Sequence, residues 1–402
     1  MIEYRKAILY LSGIYIVSLS FHYWNIYSLR ISEIVFLLLL VIFLYGILKK
    51  NILISITKSD IIAGFFLISN IIILLTSNNY FNGVLSTTFS LYLFLIYFIF
   101  RNILETYNSD IILKSILILT LFTSLLGILG WFLYQVNIEN ILANERIYPF
   151  AFGKNVQSVA LYVSPNLLTY SLIIGIIILL KTKINQKAKL ILFIIFNIAL
   201  ILTFSKSILV YLGIITIFLS GNIYNKYLKN LLIISSLFIF LSQILLTNFL
   251  IIDKSKENIW VDEKYTHPEI KPIYENINVK IIKTNYYFLK EKSFYIIKNN
   301  IFTGIGYENF RKRNNKYPIL YDQKPHSTYF GVFSEFGIIG FISIIIIFFY
   351  NLKISMKNKE NYMSLLIIYL LIEGINSDII SLKLTWIIFS INCYLNSKRE
   401  NI

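Results

Sequence analysis

The chain has one cysteine, three histidines and little charge, with only 14% of its residues Asp, Glu, Lys or Arg. Cys393 alone cannot make a disulfide or a thiolate cluster within the chain. His22, His267 and His326 are far apart and no paired carboxylate motif accompanies them, so there is no metal-ligand spacing and no metal is expected. The strict polar and apolar alternation of barrel strands is missing, which leaves helices as the way to cross a bilayer. Around Gly304 and Gly306 the preceding strand and third glycine of a dinucleotide fingerprint are missing too, and no cofactor is expected.

What the chain does have is long apolar runs. Hydrophobic residues make up 57% of it and the mean hydropathy is +0.69. The runs have bilayer-spanning length, which predicts an all-α integral membrane protein with about twelve transmembrane helices. The expected spans lie near 7–21, 31–48, 59–76, 84–100, 112–134, 158–180, 189–203, 206–220, 230–252, 327–350, 362–375 and 380–396. Residues 1–402 read as a single membrane domain: nine spans within 7–252, one large loop at 253–326, and three spans within 327–396. The first apolar segment follows Arg5 and Lys6 and has no small-residue cleavage site, so it reads as a retained span.

A net charge of +16 invites a nucleic-acid reading, but the charges mark topology instead. With the N-terminus inside, the short cytoplasmic segments hold 18 Lys and Arg, whereas the short opposite segments hold five: Arg30, Arg146, Lys154, Lys206 and Lys383. That asymmetry predicts both termini in the cytoplasm and the loop at 253–326 outside, with no nucleic-acid partner. Loops of this length are usually functional or disordered, and the aromatic content of this one argues for order. Residues 253–275 read as irregular, and 278–299 carries a helical period with a basic opposite face, the pattern of a helix lying along the membrane surface. Gly304 and Gly306 read as the stop after it, letting the backbone bend under Arg311, Lys312 and Arg313.

Four short segments give these parts a family likeness. They are LTFSKSILVYLG at 202–213, NNIFTGIGYENF at 299–310, PHSTYFGVFSEFGIIGFI at 325–342 and EGINSDIISLKLTW at 373–386. In order and placement they resemble the turn, the glycine segment, the histidine segment and the last polar hairpin of the O-antigen ligase and O-antigen polymerase superfamily, bacterial membrane glycosyltransferases. Lys206 stands at the usual arginine of the turn, Ile301 at a common proline and Ser327 at an asparagine, while His326, Glu335, Gly337 and Gly340 match. A further arginine of the family falls on Tyr286, with Lys283 and Lys290 one turn to either side. Its role is carried to Lys283.

The resemblance implies transfer of a glycan from an undecaprenyl-diphosphate carrier to an acceptor at the outer face of the cytoplasmic membrane. It implies no nucleotide, a glycan or lipid A core acceptor, contact with membrane lipid and, for a polymerase, a chain-length regulator as partner. Lys206, with Lys283, Arg311 and Arg313, would neutralise the leaving diphosphate. His326 would position or deprotonate an acceptor hydroxyl. Glu335, Asp378 and Tyr286 are supporting candidates. Each has a plainer reading. His326 after Pro325 also suits a helix cap, Lys206 a snorkelling helix end, Lys283 and the arginines a solvated face, and Glu335 a partner in helix packing.

Polymerase and ligase differ in acceptor, and the residues do not separate them; the low-GC, aromatic-rich character leans to the polymerase. A flippase or other lipid-linked-glycan transporter is the alternative from another class. It would be expected to carry charge within its spans, whereas here the polar mass gathers in one late loop.

Overall fold

The computed structural model describes residues 2–21, 25–26, 29–76, 80–107, 110–148, 153–162, 164–221, 226–253, 272–277, 279–306, 309–312, 323–357 and 361–400. It is mainly helical. The nine helices before the large loop are α1 (Ile2–Ser18), α2 (Ile31–Leu48), α3 (Lys58–Thr76), α4 (Tyr80–Thr106), α5 (Asp110–Gln135), α6 (Pro165–Lys181), α7 (Gln186–Leu202), α8 (Ser207–Gly221) and α9 (Lys226–Asn248). Within the loop lie α10 (Asn285–Asn299) and the short α11 (Asn309–Lys312). After it come α12 (Thr328–Lys357), α13 (Asn361–Glu373) and α14 (Lys383–Glu400).

Each expected span coincides with a helix. Among the described residues six helices are long and apolar enough to cross a membrane: 31–48, 58–75, 83–106, 110–135, 230–248 and 328–357. Pro165–Lys181, Ser207–Ile217 and Tyr362–Glu373 are apolar but shorter. The helices pack around one aromatic and aliphatic core in which Trp386 is fully buried, its ring centroid 5.8 Å from that of Phe66 and 6.0 Å from that of Phe389. Serines and threonines inside the bundle return their hydroxyls to the preceding turn, as Thr120 does to Ile116 and Ser124 to Thr120. At one end of the bundle buried Arg101 pairs with Asp60 and Glu105, both at 2.7 Å, tying α4 to the start of α3.

Three small antiparallel sheets decorate the other end. β1 (Asn25–Ile26) pairs with β2 (Leu29–Arg30), and β3 (Ala143–Tyr148) with β4 (Gly153–Ser158). In the third, β5 (Phe249–Asp253) and β6 (Tyr274–Glu275) flank β7 (Val279–Lys283). These strands correct three expectations. The sixth span does not begin at 158, since β4 runs to Ser158 and the helix starts at Pro165 after a Ser164 cap. The ninth helix ends at Asn248, where the β-branched run that follows pairs with β7. The loop helix begins at Asn285, because 279–283 is strand. Its Phe288, Leu289, Ile296 and Ile297 are buried against the protein, with Phe288, Leu289 and Ile296 in a small core beside Phe310.

Gly304 and Gly306 do more than stop a helix. Helix α12 is broken at Gly337, whose φ of 63° and ψ of −163° suit only glycine. Into that break the glycine segment docks backbone to backbone: Ile305 N donates to Ser334 O at 3.0 Å, Gly306 N to Glu335 O at 2.9 Å, and Ile338 N to Ile301 O at 2.8 Å. Gly304 and Gly306 both take left-handed φ, 63° and 80°. A Cβ on Gly304 would lie 2.6 Å from Gly337 N, and one on Gly337 would lie 2.7 Å from Gly304 N. Alanine at Gly337 is therefore expected to destabilise the protein by several kcal/mol, from strain plus overpacking. Gly64→Ala, whose added Cβ meets Phe94 at an ordinary 3.7 Å, should be near neutral. Thermal melting of the purified variants in detergent checks this, and equal melting temperatures would remove the docking from the account of stability.

Candidate active site at one end of the bundle

The turn between α7 and α8 is four residues, Thr203 to Lys206. Phe204 there has φ +46°, a left-handed conformation that costs a non-glycine residue roughly 1 kcal/mol. Hydrogen bonds from several directions hold it. Gln157 on β4 donates to Thr203 O at 3.0 Å and Phe204 O at 3.2 Å. Thr169 donates to the Thr203 hydroxyl at 2.9 Å, and Ser205 to Asn166 Oδ1 at 2.7 Å. Lys206 projects toward the end of α9, where Nζ donates to Leu246 O.

The same turn is joined to the last hairpin. Ser207 donates to Glu373 Oε1 at 2.9 Å, and Ser377 donates to the same oxygen at 2.6 Å. Glu373 is buried at the end of α13, and its other oxygen has no hydrogen-bond partner among the described residues. The hairpin in turn receives the start of α12. Thr328 N donates to Gly374 O at 2.9 Å, the Thr328 hydroxyl donates to Ser377 O at 3.0 Å, and Ile379 N donates back to that hydroxyl at 2.9 Å. Ser327, at the family's asparagine, accepts from Phe330 N at 3.4 Å and so caps α12 in the manner of an N-cap serine. His326 is thus held immediately outside a capped helix on a hydrogen-bonded platform.

A pocket of about 410 Å³, open to solvent, lies between these parts, lined by Asn166, Lys206, Gln243, Tyr286, Asn376 and Ser377 among others. Tyr286 is the hinge of the arrangement: it lines this pocket and its ring packs on His326, centroid to centroid 5.1 Å. His326 is exposed. Desolvation and then the nearby Arg311 guanidinium hold its pKa below the ordinary histidine value, so the neutral imidazole prevails at pH 7. Lys290, one turn past Tyr286, donates to Asn376 Oδ1 at 2.6 Å, and Asn376 donates to Gln243 Oε1 at 2.6 Å. Burial pushes the Lys290 ammonium down to about 8.

The other candidates fall around this centre. Lys283 ends β7, its Nζ 4.1 Å from the centroid of the Tyr287 ring, a cation–π contact away from the pocket lining. Glu335 and Asp378 meet in a neighbouring cavity of about 510 Å³ with Lys324 and Pro325. Arg311 lies on α11 within electrostatic reach of His326. Arg313, His22 and His267 lie outside the described residues. Among the described residues no three His, Cys, Asp or Glu side chains gather in the way a metal site needs.

Residues 190–345 match the family model for O-antigen ligase. That segment is similar to the O-antigen ligase family. It runs from α7 through the lysine turn, the large loop and the histidine segment, and it supports the O-antigen ligase and polymerase superfamily as the setting of the chain. With the apolar helices it indicates an inner-membrane protein with a glycosyltransferase-like ligase or polymerase activity, for which the family implies lipid-linked glycan and acceptor substrates. No curated protein matches the chain.

Sequence reasoning passed over Glu373, Gln243 and Asn376 and set Lys290 behind Lys283. The signals were there: Glu373 is the only acid of its helix and stands four residues before Ser377, and Lys290 shares the helix of Tyr286, whereas Lys283 does not. The lowered Lys290 pKa carries a sign. The ammonium is charged below about 8 and neutral above, so anion affinity at this pocket should fall as pH rises through that value. Lys290→Arg should keep the charge and flatten the profile. Calorimetric titration with pyrophosphate from pH 6.5 to 9.5 tests it, and a flat wild-type profile would detach Lys290 from the pocket.

Proposed function

We propose that the chain is a membrane glycosyltransferase that polymerises or transfers an undecaprenyl-diphosphate-linked oligosaccharide at the outer face of the cytoplasmic membrane, an O-antigen or related surface-polysaccharide polymerase. The observation that carries this is the convergence of Lys206, Tyr286 with His326, and Lys290 through Asn376 on one pocket. An acceptor hydroxyl attacks the anomeric carbon, the bond from that carbon to the diphosphate oxygen breaks, and the electron pair leaves on the diphosphate. Charge therefore grows on the leaving group as the bond lengthens, and Lys206 and Lys290 neutralise it as it forms. Lysine serves here as a point charge, without the fork of arginine. Neutral His326 takes the hydroxyl proton or orients it. Desolvation, with Arg311 nearby, favours the unprotonated imidazole, and the chemistry as drawn needs no metal or nucleotide.

A ligase reading, with lipid A core as acceptor, has one observation in its favour, the name of the matching family. Incubating the purified protein with a lipid-diphosphate-linked repeat unit, with and without lipid A core, and resolving the products on a gel separates the two. A ladder from donor alone is expected; product only with lipid A core would make it a ligase, and no product in either would sink the transferase reading.

His326→Ala should lower glycan transfer by about 10²- to 10⁴-fold with membrane insertion intact, the span of a lost general base. Lys206→Ala should lose on the order of 10²-fold, and Lys206→Arg should be tolerated. Equal loss in both lysine variants, measured as initial rates, would assign Lys206 to packing against α9.

A further inference from the structure

A third cavity, of about 630 Å³, opens at the same end of the bundle and shares Ser381 with the one that holds Glu335 and Asp378. Its walls are largely apolar, with Leu19, Phe21, Leu119, Leu167, Leu382 and Leu384 around it. Its polar rim holds two cations, Arg30 and Lys383. Lys383 donates to Ser32 Oγ at 3.0 Å and lies 3.6 Å from Glu33 Oε1, while the backbone N of Arg30 donates to Glu33 Oε2 at 3.0 Å. Among the described residues one carboxylate is thus set against two cations, and Lys383 Nζ also lies 5.1 Å from the centroid of the Tyr92 ring. Neither cation serves its helix: Arg30 immediately precedes α2 and Lys383 begins α14, and a positive charge at a helix N-terminus opposes the macrodipole. An uncompensated cation beside an apolar wall is costly unless an anion joins it.

We propose that this cavity binds a phosphate-headed membrane lipid, the anionic head between Arg30 and Lys383 and a hydrocarbon chain along the leucine wall. The charge surplus selects the head and the apolar lining selects the chain; a soluble phosphate would satisfy only the first. The site is separate from the Lys206 pocket and does not depend on the transferase reading. Two lipids could supply this chemistry, an anionic phospholipid or a polyprenyl phosphate.

The test uses purified full-length protein in nanodiscs and native mass spectrometry to count retained lipids. Phosphatidylglycerol should be retained over phosphatidylcholine, or undecaprenyl phosphate over undecaprenol, by on the order of tenfold. The stronger preference identifies the source. Arg30→Gln combined with Lys383→Gln should abolish the phosphatidylglycerol preference, Lys383→Arg should preserve it, and Lys206→Gln should leave it unchanged. Should the double variant misfold, a photoreactive phosphatidylglycerol on the wild-type protein should label peptides within 19–32 and 381–385. No preference in either lipid pair, or labelling confined to the Lys206 turn and α10, overturns the inference. Either result leaves the glycan-transfer assay to judge the transferase reading on its own.

Discussion

The structure depends on one backbone contact, the seating of the glycine segment in the break of α12. Breaking a helix leaves carbonyls without partners, and in an apolar interior each would cost several kcal/mol. Here Ser334 O and Glu335 O are taken by Ile305 N and Gly306 N. The loop therefore completes α12 in place of the missing turn. Because the loop also carries α10 and α11, that closure sets where Tyr286, Lys290 and Arg311 stand relative to His326. Three left-handed glycines, at 304, 306 and 337, are what permit it.

Helix positions were legible because every helix that replaces lipid with protein on one side still needs an apolar run, and such runs survive in a single sequence. The small sheets were not. Residues 249–252 are as apolar as the helix before them, and only pairing with 280–283 makes them strand. Around the site, His326 and Lys206 were singled out because both sit beside helix ends in recognisable segments. The choice between Lys283 and Lys290 was not legible, since it turns on where a helix begins. A start at 278 would put both on one face with Tyr286; a start at 285 leaves Lys283 on a strand against Tyr287. Glu335 and Asp378 were named singly, and only folding brings them to one cavity.

Hydroxyls rather than ion pairs join the parts of the site. Ser207 and Ser377 converge on one oxygen of Glu373, Thr169 reaches Thr203, and Thr328 binds the hairpin. In a low-dielectric interior such bonds are strong and directional, and they do not compete with a negatively charged ligand for the lysines. Among the described residues the shortest salt bridges lie at the opposite end, where Arg101 holds Asp60 and Glu105, both at 2.7 Å. The molecule keeps paired charge where it needs rigidity and leaves cationic surplus where an anion can enter.

The stretch from Gly374 to Leu382 has a geometric consequence. Asn376 and Ser377 face one cavity, Asp378 and Ile380 a second, and Leu382 a third, with Ser381 between the last two. One short strip of chain is thus a party wall to three rooms. An insertion or deletion anywhere along it would shift every later residue into a neighbour's chamber, so its length is under tighter restraint than the identity of any single side chain within it.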